Sequence, residues 1–157
     1  MEIELLTVGK TTIKFVIEGI EEYTKRLKHY IGYHIIPLPD IKKNASLSAD
    51  RQKEAEGEII LSKIQTSDYV ILLDEKGREY TSMEFAGFLE KQMIAGRKKV
   101  VFVVGGPYGF SPAVYGRADG KVSLSKMTFN HEMVRLFFTE QVYRAMTILR
   151  GEPYHHE

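Results

Sequence analysis

Residues 98–112 read KKVVFVVGGPYGFSP. Five consecutive apolar residues, Val100 to Val104, run directly into Gly105 and Gly106, and a third glycine follows at Gly109. An unbroken apolar run rich in β-branched side chains predicts a strand buried on both faces, as in a parallel sheet covered by helices. Glycines at its end permit positive φ and clear side chains from the path of a neighbouring group. The N–H groups of such a bend can cradle an anion, although Pro107 offers none. On pattern alone the stretch is equally a tight strand-to-helix turn with no ligand. Ligands of parallel α/β sheets bind beyond the carboxyl ends of the strands. That rule singles out this bend and Asp74, which follows the run YVILL.

Working outward, strand and helix signals alternate along the chain. IELLTVG predicts a strand ending at Gly9, and Ile13, Val16, Ile17, Ile20, Tyr23 and Leu27 recur at helical spacing between Thr11 and Tyr30. YHIIPLP reads as a second strand, with Pro37 marking it as an edge. DIKKNASLSAD, residues 40–50, reads as a polar loop, and Asp50 to Lys63 as a helix with an apolar stripe at Ala55, Ile59, Ile60 and Ile64. DYVILLDEKGREY predicts a strand closed by an acidic residue and a turn at Gly77. Ser82 is the expected cap of the next helix, supported by Glu84. That helix carries Phe85, Phe88, Leu89 and Met93 and stops at Gly96. Ser111 is placed to cap a short helix at Pro112, and VSLS is a very short strand. His131 to Arg150 is the longest helical pattern, ended by Gly151 and Pro153. Its Met133, Phe137 and Met146 read as core or as a dimer surface. The expectation is an α/β fold with a mostly parallel sheet and helices on both faces. With no linker or repeat, it forms one domain over residues 1–157.

Composition excludes several classes. There is no cysteine, hence no disulfide framework and no thiolate chemistry. The net charge of +1 lacks the signature of a dedicated duplex binder. Lys25, Arg26 and Lys28 form one basic patch and Arg97, Lys98 and Lys99 another. Both read more readily as solvated helix ends and loops than as RNA contacts. The longest apolar runs are five residues, against about 20 for a membrane span. The acidic start MEIELLTVGK is not a signal peptide, and a cytoplasmic protein is expected. Dinucleotide, P-loop and nucleophile-elbow motifs are missing, and no histidine spacing suggests a metal site.

Four ordered blocks carry more. They are VGK near the start, LLDEKG in the middle, VGGPYGFSP, and LSKMTFNHEMVRLFFTEQVYRAMTILRGEPYHH. Together they span the chain. They resemble the bacterial 23S ribosomal RNA pseudouridine N3-methyltransferases, members of the SPOUT or trefoil-knot class. The resemblance implies a deep C-terminal knot, a homodimer and S-adenosylmethionine as cofactor. It implies methylation of N3 of a pseudouridine in 23S rRNA on assembled ribosomes. Residue by residue, it places Leu73, Gly105, Leu124, Ser125, Lys126, Met127, Thr128 and Phe129 around the cofactor. By the same account the glycines of the bend let main chain pack against it.

Arg144, Tyr154 and His155 are the candidate catalytic residues. Arg144 suits a phosphate or a uracil oxygen, or a helix-surface ion pair with Glu140. His155 is the preferred base or RNA contact, unless the tail is a frayed terminus. His131 reads as a loop-positioning residue. Asn130 stands where the family pattern leads one to expect proline, and can cap the following helix. Two other readings stay open. One is a non-catalytic knotted module that binds RNA or adenosine, and the other is a small-molecule enzyme of flavodoxin-like shape.

Overall fold

The Val100–Val104 run forms the central strand of a five-stranded sheet. The computed structural model describes residues 1–41 and 47–157. Residues 42–46 of the polar loop expected over residues 40–50 lie outside the described residues, and Ala49 and Asp50 belong to a helix. In chain order the elements are β1 (Glu2–Val8), α1 (Lys14–Leu27), β2 (Gly32–Leu38), α2 (Ala49–Lys63) and β3 (Tyr69–Glu79), then α3 (Ser82–Ile94), β4 (Lys99–Val104), α4 (Pro112–Arg117), β5 (Gly120–Ser123) and α5 (Met133–Leu149). The strands run in the order β2-β1-β4-β3-β5, all parallel. β2 lies at one edge, where Pro37 withholds no ladder donor from a second neighbour.

The apolar runs have the cause the pattern suggests. In β4, Val100, Phe102 and Val104 face α1, α3 and α5, while Val101 and Val103 face α2 and α4. Both faces are dry, so no polar alternation survives. On the first face Phe102 meets Phe138 with ring centroids 4.7 Å apart, and Phe85 packs edge-on against both.

Three local expectations need correction. Thr81, not Ser82, caps α3: its hydroxyl accepts from Glu84 N at 3.1 Å, and the Glu84 carboxylate accepts from Thr81 N at 2.8 Å. This reciprocal box satisfies two donors at once, which a serine one residue later cannot do. α2 buries Gln52, Glu56, Gly57 and Ile60, while Ala55 and Ile59 stay partly exposed and Ile64 falls past the helix end. Its contact line is centred on Gly57, where Ser111 and Val114 of the α4 segment approach too closely for a side chain. Finally, Gly77 makes no turn. It lies inside β3, which continues to Glu79 through a register shift between Leu73 and Arg78. A Cβ at Gly77 would stand 2.6 Å from Val122 N, so glycine is there to let two backbones meet.

α5 begins two residues later than expected and is fastened at that end. Asn130 Oδ1 accepts from Glu132 N at 2.9 Å and Met133 N at 3.3 Å, the capping role its side chain suits. Arg135, 2% exposed, donates to Gly9 O, Thr11 Oγ1 and Val8 O at 3.0–3.1 Å. The Glu132 carboxylate accepts from Thr12 N, Thr12 Oγ1 and Ile13 N at 2.7–2.9 Å. Burial alone would raise the Glu132 carboxyl, but the donors of Ile13 and Thr12 outweigh it and hold it below the usual carboxylate range.

A depressed pKa in the folded state means stability that is full above the unfolded value of 4.5 and is lost as pH falls through the folded value. Glu132→Gln is expected to lower stability at pH 7 by about 1–3 kcal/mol, since charge-assisted bonds become neutral ones. It should also flatten the acid limb below pH ~4.5. Urea midpoints at pH 7 and pH 3 check both.

Candidate functional site

The carboxyl ends of β3, β4 and β5 converge. Leu73 pairs with Val104 on one side and Val122 on the other. Beyond Val104 the chain folds back on itself: Gly109 N donates to Gly106 O at 3.2 Å, with Gly109 at φ 82°. Gly105 and Gly106 have their own packing reasons. A Cβ at Gly105 would touch the Phe110 ring at 3.0 Å, and one at Gly106 would collide with the Glu56 carboxylate. Both approaches are to side chains, one of them the flexible end of Glu56, so packing within the chain favours glycine here on its own account. Glu56 is buried without a hydrogen-bond partner among the described residues, and burial pushes its carboxyl up.

After β5, residues 124–129 wrap back over the sheet. Ser123 Oγ donates to Ser125 O at 3.0 Å, and Ser125 Oγ accepts from Met127 N at 2.9 Å, so the loop is held by its own hydroxyls. Two cavities flank it. One, of about 170 Å³, is lined by Leu73, Asp74, Leu124, Ser125, Met127, Thr128 and Phe129 among others. The other, of about 250 Å³, reaches Tyr80, Ser82, Phe85, Phe137 and Gln141. Val122, Ser123, Leu124 and Phe129 line both and form the partition. Six of the eight residues expected around the cofactor thus share one cavity. Gly105 lies just past Val104, the partner of Leu73, but does not line it. Lys126 points outward, with its ammonium 3.9 Å from Glu79. Met127 is 78% exposed, an apolar side chain at the rim awaiting cover. Phe137 is neither core nor plain surface: it walls the larger cavity and meets the Phe129 ring at a 53° tilt with centroids 5.0 Å apart, while Met146 is buried in the core.

The three tail candidates also meet, around a residue that sequence reading treated only as a surface partner. Glu140 Oε1 accepts from Arg144 Nη2 at 2.7 Å, Arg144 Nε at 3.1 Å and Tyr154 OH at 3.0 Å. The guanidinium stacks 4.7 Å from the Tyr154 ring. The bond to Glu140 raises the Arg144 pKa further, so the cation is permanent. Burial, then the bonds to Tyr23 and Glu140, push Tyr154 well above an ordinary phenol, so it stays neutral. His155 Nδ1 lies 3.0 Å from Arg144 Nη1. A guanidinium only donates, so this contact assigns the lone pair to Nδ1 and the ring proton to Nε2. The tail is tied down rather than frayed. His131 Nε2 lies 3.9 Å from Glu132, beside the fastened start of α5.

A chain of polar contacts joins cluster to cavity. Ser82 Oγ donates to Gln141 Oε1 at 2.8 Å, and Gln141 Nε2 donates to Glu140 Oε2 at 3.1 Å. Gln141 and Ser82 line the larger cavity, and neither was expected to. The signal for Glu140 was present in the i,i+4 spacing to Arg144. Nothing local signalled Gln141, because its partner is 59 residues away.

Comparison with known proteins identifies the family. A family model described as "Predicted SPOUT methyltransferase" matches residues 1–155. The "Ribosomal RNA large subunit methyltransferase H" of Porphyromonas gingivalis strain W83 is 56% identical over 157 residues, covering 100% of both chains. The protein of the same name from Parabacteroides distasonis is 58% identical, again over 100% of both. A solved methyltransferase from Legionella pneumophila is 15% identical, with TM-score 0.46 over 92% of this chain and 66% of its own. That likeness is too slight to decide anything, so the assignment rests on the family model and the sequence relatives. Matched from end to end by both, the chain belongs to the SPOUT methyltransferase family.

Proposed function

We propose that the chain, acting as one domain over residues 1–157, methylates N3 of a pseudouridine in 23S rRNA with S-adenosylmethionine as donor. The names of its relatives supply the large-subunit rRNA. The observation that carries the reading is the slot between the end of β3 and residues 124–129. It has apolar walls at Leu73, Leu124, Met127 and Phe129, the flat apolar surface that a purine ring needs. The residues present fit the cofactor.

When bound, the cofactor supplies a methyl group activated by its sulfonium. The protein's part is alignment and charge. Holding the two reacting atoms in line provides most of the acceleration. Methylation at N3 requires loss of the N3 proton, which leaves negative charge on the neighbouring carbonyl oxygens. Arg144, permanently charged and fixed by Glu140, is the group suited to that charge. His155 holds the guanidinium in place through Nδ1, and Tyr154 remains a neutral donor. The proton passes to solvent.

The reading extends to a knotted topology, which membership of the SPOUT family supports. It extends to a homodimer, supported by exposed Phe15 (62%) and Phe137 (40%) on neighbouring helices α1 and α5. Action on assembled ribosomes in the cytoplasm belongs to the same reading. Among the described residues no helix is long and apolar enough to cross a membrane.

The test is transfer of radiolabelled methyl from S-adenosylmethionine to ribosomes from a strain lacking the activity, with calorimetric titration of the cofactor. Label in 23S rRNA and a saturable heat are expected. Heat without label would leave a binding module. Phe129→Ala, which removes the one aromatic ring of the partition between the cavities, is expected to weaken cofactor binding about tenfold.

A further inference from the structure

A third groove, of about 520 Å³, opens on the outer side of β3 and α3. It is lined by Arg78, Lys91 and Arg97 together with Tyr69, Tyr80 and Phe88. The chain has 22 basic and 21 acidic residues, so charge is nearly balanced overall. Yet these three cations form no ion pair among the described residues. By contrast, their neighbour Lys99 lies 3.4–3.5 Å from both Glu4 and Asp68. Glu84, the acid at the rim, is already engaged by Thr81 N in the α3 cap. Two guanidiniums lie over rings: Arg78 is 4.8 Å from the Tyr80 centroid, and Arg97 is 4.3 Å from that of Tyr69. Tyr80 also meets Phe88 at 5.6 Å and lines the 250 Å³ cavity, so the groove borders the candidate site at that ring.

Cations that form no ion pair among the described residues, two of them guanidiniums over aromatic faces, suit a single-stranded nucleic acid, whose phosphates seek the charges and whose unstacked bases seek the rings. We propose that this groove holds the RNA strand flanking the target nucleotide. Phosphates sit on Arg78, Lys91 and Arg97, and a base lies against Tyr80 or Phe88. The proposal rests on the rRNA methyltransferase reading and adds to it the path of the substrate. It also revises the view of Arg97 as a merely solvated loop residue.

The test is the Lys91→Glu/Arg97→Glu double variant. The control is Lys53→Glu/Lys63→Glu on α2, which has the same change in net charge on the opposite face of the sheet. Affinity for ribosomes lacking the modification is measured across salt concentrations. At low salt the groove variant is expected to bind at least about tenfold more weakly, with a log–log salt slope shallower by about 2. Calorimetric cofactor affinity should not change, and the control should bind like wild type. A neutral Lys91→Gln/Arg97→Gln pair reads the same slope if charge reversal prevents folding. A photocrosslinker at residue 91 should attach to 23S RNA. Unchanged affinity and slope in the groove variant, or crosslinks to ribosomal protein, would overturn the proposal while leaving the methyltransferase reading intact. Wild type that neither binds nor methylates ribosomes would overturn both.

Discussion

Arg144→Ala is expected to lower kcat/KM for methyl transfer by about 10²–10³-fold, the usual loss when one preorganised charge-stabilising donor is removed. The side chain lies on α5 with Glu140, Tyr154 and His155 around it, and is absent from both cavities beside the 124–129 loop. Cofactor affinity by calorimetry should therefore stay within about twofold. Arg144→Lys should recover little. An ammonium keeps the charge but cannot hold Glu140 and His155 at once while presenting a flat edge to a substrate. His155→Gln is the informative companion. If His155 only positions Arg144, the variant should retain most activity, with its pH profile unmoved. If the imidazole is a base, activity should collapse and the acid limb of the profile should vanish.

Gly77→Ala is expected to destabilise the fold by on the order of 3 kcal/mol, because the added methyl meets main chain rather than a movable side chain. In a chain of this size that is a fall in Tm of roughly 6–12 °C by scanning calorimetry. Gly87→Ala in the exposed part of α3 is the matching control. Nothing lies within 4 Å of a Cβ there. A helical glycine replaced without strain should raise stability by about 0.4–1 kcal/mol. Opposite signs from the same substitution would locate the effect in the approach of β3 to β5. Equal signs would refute that account.

The sheet was legible because its cause is local. A strand buried on both faces must be apolar throughout, and Val100–Val104 and the YVILL run say so directly. Helix ends were legible where capping chemistry is unambiguous, as at Ser111, whose hydroxyl accepts from Val114 N. At α3 two adjacent hydroxyl residues compete, and only the reciprocal geometry with Glu84 decides for Thr81. The Gly77 misreading has a different origin. Turn and close approach both select glycine, and the neighbour that forces it, Val122, is distant in sequence. The cofactor loop came from family likeness, as did the tail, and no periodicity marks either. Glu140 looked like a surface ion-pair partner because spacing cannot tell that Tyr154 and Gln141 also converge on it.

The fastening of α5 has a consequence for how the chain comes into being. Arg135 closes onto Val8, Gly9 and Thr11 across 124–127 positions, and Glu132 onto Thr12 across 120. The Arg135 guanidinium cannot reach Val8 O and Gly9 O until α5 has formed and docked. Contacts so far apart in sequence slow assembly, so this junction between the two ends of the described fold is expected to close late, after the sheet it rests on.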